Sequence, residues 1–269
     1  MRIGRSLTAV ALIGFVALML LPLYSMIVLA SAPDDGDLSG LGFHGFALFD
    51  NIGQIMTDGR FPRYLMNSIL IASAVSVLDV AISAAAGYAL ARLRFPGRAA
   101  LLNLVVIALS LTPAVVMIPV FVMLSEIGWL NSYQGLIAPF AASALGVFLV
   151  RQFALGIPVQ MLHAARVDGA SELRIFLRIA VPLLRPALLT VLLLQFLAQW
   201  DNLIWPLIAA SEQELWTLPL ALSSFEGEHG IVYHLQTAAA LISILPPLIL
   251  FSFLQRYYVS GLTLGGVKR

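Results

Sequence analysis

Six long runs of mainly apolar residues, near 7–30, 64–91, 100–124, 133–154, 183–210 and 235–258, occupy most of this chain of 269 residues. A helix needs about 20 such residues to cross a bilayer. Within hydrocarbon the backbone must pair its own N–H and C=O groups, and continuous runs of this length do so as helices. Composition agrees: 60% of the residues are hydrophobic and 11% charged, where a soluble domain carries roughly 25% charged residues. The mean hydropathy is +0.95. The expected fold class is an all-α membrane protein with six transmembrane helices.

Six crossings put both termini on one side. With that frame, every basic residue except Arg60 and Arg63 falls on the termini or the even loops, among them Arg92, Arg94, Arg98, Arg166, Arg174 and Arg178. By the positive-inside rule the termini and the 155–182 loop are cytoplasmic. The expected organisation is an N-terminal helix with its external loop over 1–62, a membrane core over 63–258, and a cytoplasmic tail over 259–269. The first run carries Arg2 and Arg5 ahead of it and ends at Ala30-Ser31-Ala32, which imitates a signal-peptide cleavage site. A signal h-region is about 7–15 residues, so the longer run is read as a retained helix.

Several chemistries are poorly served. There is no cysteine, hence neither a disulfide framework nor a thiolate. His44, His163, His229 and His234 have no metal-ligand spacing, so no metal site is expected. No GxSxG elbow is present, and no catalytic residue is nominated. Gly40, Gly42 and Gly45 form a GxGxxG match without a βαβ frame, which is taken as chance. GxxxxGK[ST] is absent, so ATP chemistry is not expected in this chain. The net charge of +1 and the lack of a basic tract give no reason to expect nucleic acid.

The loop between the fourth and fifth runs is the charged exception in an apolar chain. Pro158 suits the first turn of a short helix and Asp168-Gly169 suits a turn that ends it. Ser171 then caps a second helix with Glu172 in its first turn. On that helix Leu173, Phe176, Leu177 and Ala180 fall at i, i+3, i+4 and i+7, one apolar stripe, with Arg174 and Arg178 on another face. Burying the stripe's large members contributes about 1.5–3 kcal/mol each. Such a hairpin fits docking on a soluble partner, with a helix lying on the bilayer surface as the alternative.

The same residues carry a family likeness. Ala164-Ala165-Arg166-Val167-Asp168-Gly169-Ala170-Ser171, followed by Phe176, Ile179 and Val181-Pro182, resembles the EAA loop of permease subunits of bacterial ABC importers, in the carbohydrate-uptake group similar to maltose permeases. Asn67-Ser68, the stretch Ala86 to Arg98, and Gly261 to Lys268 resemble that group in the same order. The acidic residue usual before the paired alanines is His163 here, which removes any salt bridge the family builds from that position.

The resemblance implies a type I ABC importer permease fold in a bacterial inner membrane, with the hairpin as a coupling helix seated on an ATPase subunit. Ala164, Ala165, Asp168, Gly169, Phe176 and Pro182 are then the ATPase-coupling residues. No cofactor is expected in this subunit, ATP and Mg being bound by the partner ATPase. The implied partners are nucleotide-binding subunits, a second permease in a heterodimer, and an extracytoplasmic solute-binding protein. The implied cargo is a sugar or related polyol.

Trp200, Asp201 and Asn202 follow a leucine-rich run and are the candidate substrate path, offering polar groups for hydroxyls and an aromatic face for a sugar ring; an interfacial aromatic belt is the other reading. Asp79 lies mid-span among small residues, where it suits a hydrogen-bonded interhelical contact or a role in the lumen. A proton-coupled secondary transporter using Asp79 and Asp201 is the alternative function. A membrane-anchored enzyme or receptor is disfavoured because the longest external segment, about 31–62, buries little core. Pro113, Pro119, Pro246 and Pro247 are candidate kinks in the third and sixth runs.

Overall fold

A computed structural model describes residues 2–33, 45–57, 59–228 and 233–264. Gly40 and Gly42 of the GxGxxG match, His44, His229 and residues 265–268 of the C-terminal motif lie outside the described residues. Among those described, all regular structure is helical. The order is α1 (Arg2–Ala30), α2 (Leu48–Thr57), α3 (Phe61–Arg92), α4 (Arg98–Ser110), α5 (Pro113–Glu126) and α6 (Tyr133–Ile137), the last continued by a 3-10 turn, Ala138–Phe140. Then come α7 (Ala144–Leu155), α8 (Val159–Val167) and α9 (Glu172–Ile175), which runs through a π segment, Phe176–Ala180, into α10 (Val181–Trp200). The chain closes with α11 (Ile204–Ala209), a 3-10 turn (Gln213–Leu215), α12 (Leu218–Glu228) and α13 (Tyr233–Leu264).

Four stretches are long and apolar enough to cross a bilayer unbroken: Ala11–Ala30, Phe61–Arg92, Glu172–Trp200 and Tyr233–Gln255. The third and fourth expected spans are instead bent pairs, Arg98–Ser110 with Pro113–Glu126 at 107° and Tyr133–Phe140 with Ala144–Leu155 at 41°. Counting each pair as one span gives six. The first break has a local cause, because Thr112 is extended at φ −72°, ψ 131°, the conformation that a following proline favours. Pro113 then opens α5, where its missing N–H costs nothing. A helix of the length of α4 reaches only about 20 Å, short of the about 30 Å of hydrocarbon. The fifth run also differs from expectation: its helix starts earlier, at Glu172, and stops at Trp200 before α11 resumes.

The chain divides into two compact units, Met1–Arg63 with Leu220–Leu245, and Tyr64–Pro219 with Pro246–Arg269. In the first, the buried Asn51 of α2 donates its amide to the carbonyls of Ala30 and Ala32, both at 2.9 Å, fixing the end of α1. The cleavage-site imitation is thus a packed turn.

In the second unit α3 and α7 lie almost backbone to backbone. A Cβ added to Gly87 would stand 2.8 Å from Val150 Cβ and 2.9 Å from the Arg151 amide nitrogen. Each helix end is closed by a guanidinium. Arg92 donates to the carbonyls of Ala154 and Leu155, both at 2.7 Å, and to that of Ile157, beyond the end of α7. Arg98 does the same for α3, reaching Leu90 at 2.9 Å, Ala91 at 3.2 Å and Leu93 at 3.3 Å. The carbonyls of Ala154, Leu155, Leu90 and Ala91 are among the last four of their helices, which lack intrahelical partners, and a cation there also suits the helix dipole. At the opposite end of α3, the Asn67 amide donates to the carbonyls of Glu214 and Trp216, each at 2.9 Å, and its oxygen accepts from the Tyr133 hydroxyl at 2.8 Å. Ser68 Oγ accepts the Leu218 N–H at 2.7 Å.

Replacing Gly87 by leucine forces α3 from α7, and overpacking of this kind costs about 1–3 kcal/mol. Thermal unfolding of the detergent-solubilised protein is expected to show a lower Tm for Gly87→Leu and a smaller loss for Gly87→Ala; an unchanged Tm for the leucine variant contradicts the close approach.

Candidate functional site

The hairpin between the fourth and fifth spans is built from residues 158–180. Pro158 precedes α8, and α8 ends in a paired turn: Gly169 N–H donates to Arg166 O and Ala170 N–H to Ala165 O, both at 3.0 Å. This is the Schellman arrangement, which needs a left-handed residue just beyond the helix. Gly169 takes that role at φ 79°. Ser171 Oγ then accepts the Arg174 N–H at 3.3 Å and starts α9. The Arg166 guanidinium straddles the Glu172 carboxylate, Nε at 2.6 Å and Nη2 at 3.3 Å, closing α8 onto α9. That hydrogen bond also raises the Arg166 pKa above its ordinary value. Both side chains are part-exposed, and exposed pairs contribute at most about 1 kcal/mol, so the turn rather than the ion pair sets the shape.

The inner face of the hairpin is packed. Leu162, Ile175 and Ala180 are buried in one cluster with Tyr88, Val150 and Ala154 from α3 and α7. Ala165, Ala170, Phe176 and Ile179 lie against it, and the Tyr88 and Phe176 rings are 5.3 Å apart. The expected stripe of Leu173, Phe176, Leu177 and Ala180 is therefore divided. Phe176 and Ala180 turn inward, whereas Leu173 and Leu177 are 67% and 54% exposed. The π segment supplies the reason, because its i to i+5 winding puts Ile175 and Ala180 above one another on the buried side.

Ala164, Asp168 and Gly169 of the nominated residues are exposed, with Val167 87% exposed beside them. Ala165 and Phe176 belong to the packed side, and Pro182 is exposed in the first turn of α10. His163 is exposed on α8. One side of the hairpin is thus committed to α3 and α7, and the other presents small and apolar side chains around a cationic flank.

The residues nominated for the substrate path sit at the break after α10. Trp200 is buried and stacks on Phe196, ring centroids 5.6 Å apart at 15°. Asp201 is exposed at the helix end. Asn202 donates to Gln199 Oε1 and accepts the Trp205 N–H, each at 3.2 Å, so both ends of its amide serve the turn into α11. Asp201 alone of the three offers an uncommitted side chain.

Residues the sequence reading passed over also shape this region. Trp205 is buried, donates its indole N–H to Gly135 O at 3.1 Å and meets Phe140 edge-on at 5.9 Å. Gln195, a polar residue among leucines, donates to Phe140 O at 3.1 Å. A tryptophan and a glutamine in an apolar run each need a hydrogen-bond partner, and that was the available signal. No group of three or more potential metal ligands occurs among the described residues.

A helical membrane core with a turn-capped hairpin between its fourth and fifth spans is the architecture of an importer permease. It superposes with TM-score 0.83 on a chain from the crystal structure of a bacterial ABC transporter involved in the import of the acidic polysaccharide alginate, at 23% identity, covering 96% of this chain and 97% of that one. A second alginate transporter structure, in complex with its pentasaccharide-bound periplasmic protein, gives 0.68 at 15% identity over 94% of both chains. The chain belongs to the binding-protein-dependent transport system inner membrane component family, whose model matches residues 80–263.

Among its relatives, the arabinooligosaccharides transport system permease protein AraQ of Bacillus subtilis (strain 168) is 39% identical over 82% of this chain and 79% of that protein. The trehalose/maltose transport system permease protein MalG of Thermococcus litoralis is 33% identical over 98% and 97%. The sn-glycerol-3-phosphate transport system permease protein UgpE of Yersinia pestis bv. Antiqua (strain Antiqua) is 31% identical over 94% of each. The protein is a transport subunit of an ABC importer, without an ATPase site of its own. Nothing in these likenesses supports the proton-coupled alternative.

At Gly169 an added Cβ meets nothing within 4 Å, so Gly169→Ala carries only the left-handed backbone penalty of about 1–2 kcal/mol. Hydrogen exchange of the hairpin amides is expected to speed up about five- to thirtyfold, and less for Gly169→Asn, which tolerates that conformation. Unchanged protection in the alanine variant contradicts the turn as the shape-setting element.

Proposed function

We propose that this permease forms half of a carbohydrate or polyol translocation path, paired with a different permease subunit and driven by cytoplasmic ATPase subunits gripping the 158–180 hairpin. One observation carries the reading: the hairpin's inner face is packed on α3 and α7 while Val167, Leu173 and Leu177 remain exposed on its outer side. Exposed aliphatic side chains on a rigid, turn-capped element beside Arg174 and Arg178 suit a protein cleft. The basic residues of the even loops support a cytoplasmic position for the termini and the hairpin by the positive-inside rule. ATP and Mg belong to the ATPase. Cargo arrives from an extracytoplasmic binding protein.

The relatives' names favour a sugar or a polyol derivative as cargo. Asp201, exposed at the α10 break, is the residue of the nominated path free to accept hydrogen bonds from hydroxyl groups. Trp200, stacked on Phe196, supports the path wall from behind.

Copurification in detergent with the ATPase and partner permease, followed by ATP hydrolysis with candidate oligosaccharides and loaded binding protein, tests the assignment. Hydrolysis is expected to rise with a carbohydrate or polyol; import that continues without ATP but collapses with the proton gradient overturns it. Val167→Asp puts a charge on the outer face without touching the core. It is expected to weaken ATPase association about tenfold, or about 1.4 kcal/mol, with Tm unchanged, whereas equal association contradicts docking through this face.

A further inference from the structure

The fourth span is broken where a carboxyl group from α3 reaches it. Asp79 is wholly buried. Its Oδ1 accepts the Ser143 backbone N–H at 2.7 Å and the Ser83 hydroxyl at 3.0 Å. Its Oδ2 accepts the Ser143 hydroxyl at 2.8 Å, and that hydroxyl accepts the Gly146 N–H at 2.9 Å. Ser143 is the cap of α7, so Asp79 holds the cap itself. Space for this contact comes from Gly146, where a Cβ would collide with Ser83 Oγ and approach Asp79 Oδ2 to 3.1 Å.

The location explains why a carboxyl group is used. Because the span bends by 41° between Phe140 and Ala144, α7 starts partway along the fourth candidate span. The N–H groups of its first turn lack intrahelical partners, lipid offers none, and the helix dipole puts partial positive charge there. Asp79 supplies acceptors from a neighbouring helix. Every hydrogen bond it makes is one it accepts.

The other contacts between α3 and α7 make the consequence mechanical. Arg92 grips the carbonyls at the end of α7, and Gly87 lets the two backbones touch near Val150. The hairpin rests on this same pair through Tyr88 and Phe176. Helix α7 is held to α3 at its start, middle and end.

We propose that Asp79 is the positioning residue of the coupling step: it latches the mid-span start of α7 to α3, so that a displaced hairpin turns α3 and α7 as one body and the fourth span flexes at Ala141–Ser143. This rests on the ATP-driven reading above. If the wild-type complex imports without ATP, that reading fails before any variant is compared; the latch is judged only on the variants.

The measurement is the number of substrate molecules imported per ATP hydrolysed, in proteoliposomes of the full complex. Mutations along a coupling route change coupling by about 0.5–2 kcal/mol, so Asp79→Ala is expected to lower the ratio about tenfold while hydrolysis persists. Asp79→Asn, which keeps an acceptor for the Ser143 N–H, is expected to restore most of it. Should Asp79→Ala not assemble, the Ser83→Ala/Ser143→Ala pair decides: it removes two of the three bonds and is expected to lower the ratio about threefold.

Spin labels at Leu78→Cys and Leu145→Cys, both exposed beside the latch, report the mechanics directly. Their separation is expected to stay constant between resting and ATP-bound complexes with Asp79 present, and to change when it is alanine. A wild-type ratio in Asp79→Ala or in the serine pair overturns the proposal. So does hydrolysis falling in step with import, or an Asp79→Asn variant as deficient as the alanine one.

Discussion

A backbone amide inside a bilayer has no water to bond, and each unpaired group there costs several kcal/mol. Continuous helices meet this demand by themselves. This chain does not keep its helices continuous: the third and fourth spans are broken and the fifth stops at Trp200. Polar side chains in an otherwise apolar sequence are stationed at such interruptions and helix ends. Asp79 serves the start of α7, Arg92 its end, Arg98 the end of α3 and Asn202 the turn into α11. Asn67 ties the start of α3 to the 214–216 segment. Few polar residues are available, and these ones are spent on backbone groups that lipid leaves unpaired.

That economy also gives the hairpin its footing. Its inner residues are buried against the same helix pair that Arg92, Gly87 and Asp79 hold together. Burying Leu162 and Ile175 away from water contributes about 1.5–3 kcal/mol each as an upper estimate. A soft hairpin would absorb a push from a partner. This one is held by a Schellman turn, its packed inner residues and an aromatic contact, as the proposed coupling role requires.

Much of this was legible in the residues, and what was not has particular causes. Asp168-Gly169 announced a helix-ending turn because glycine alone takes positive φ without strain, and Ser171 announced a cap by residue type. Leu173, Phe176, Leu177 and Ala180 read as one stripe because a regular 3.6-residue winding puts them on one face; the π segment divides that stripe, leaving Phe176 and Ala180 packed and Leu173 and Leu177 exposed. Arg92 and Arg98 read as topology signals; that they also close helix ends depends on which carbonyls the fold brings near. Pro113 marked a kink and its effect on Thr112 is local, but the residues do not state the 107° size of the turn or that α4 packs on α7 and α5 on α11. Trp200 read as an open aromatic face although Phe196 stands at i−4 on the same helix, the spacing that pairs side chains, and the two rings do stack.

The central claim is that the 158–180 hairpin faces the cytoplasm and is covered there by an ATPase subunit. The chain has no cysteine, so Val167→Cys creates one thiol at the most exposed large hydrophobic residue of the hairpin. Labelling it with a membrane-impermeant maleimide, in vesicles of both orientations and with or without the ATPase, tests the claim most directly. The account predicts labelling in inside-out vesicles stripped of ATPase, protection once ATPase is restored, and none in right-side-out vesicles. Labelling from the outside, or labelling from the inside that the ATPase does not block, contradicts it.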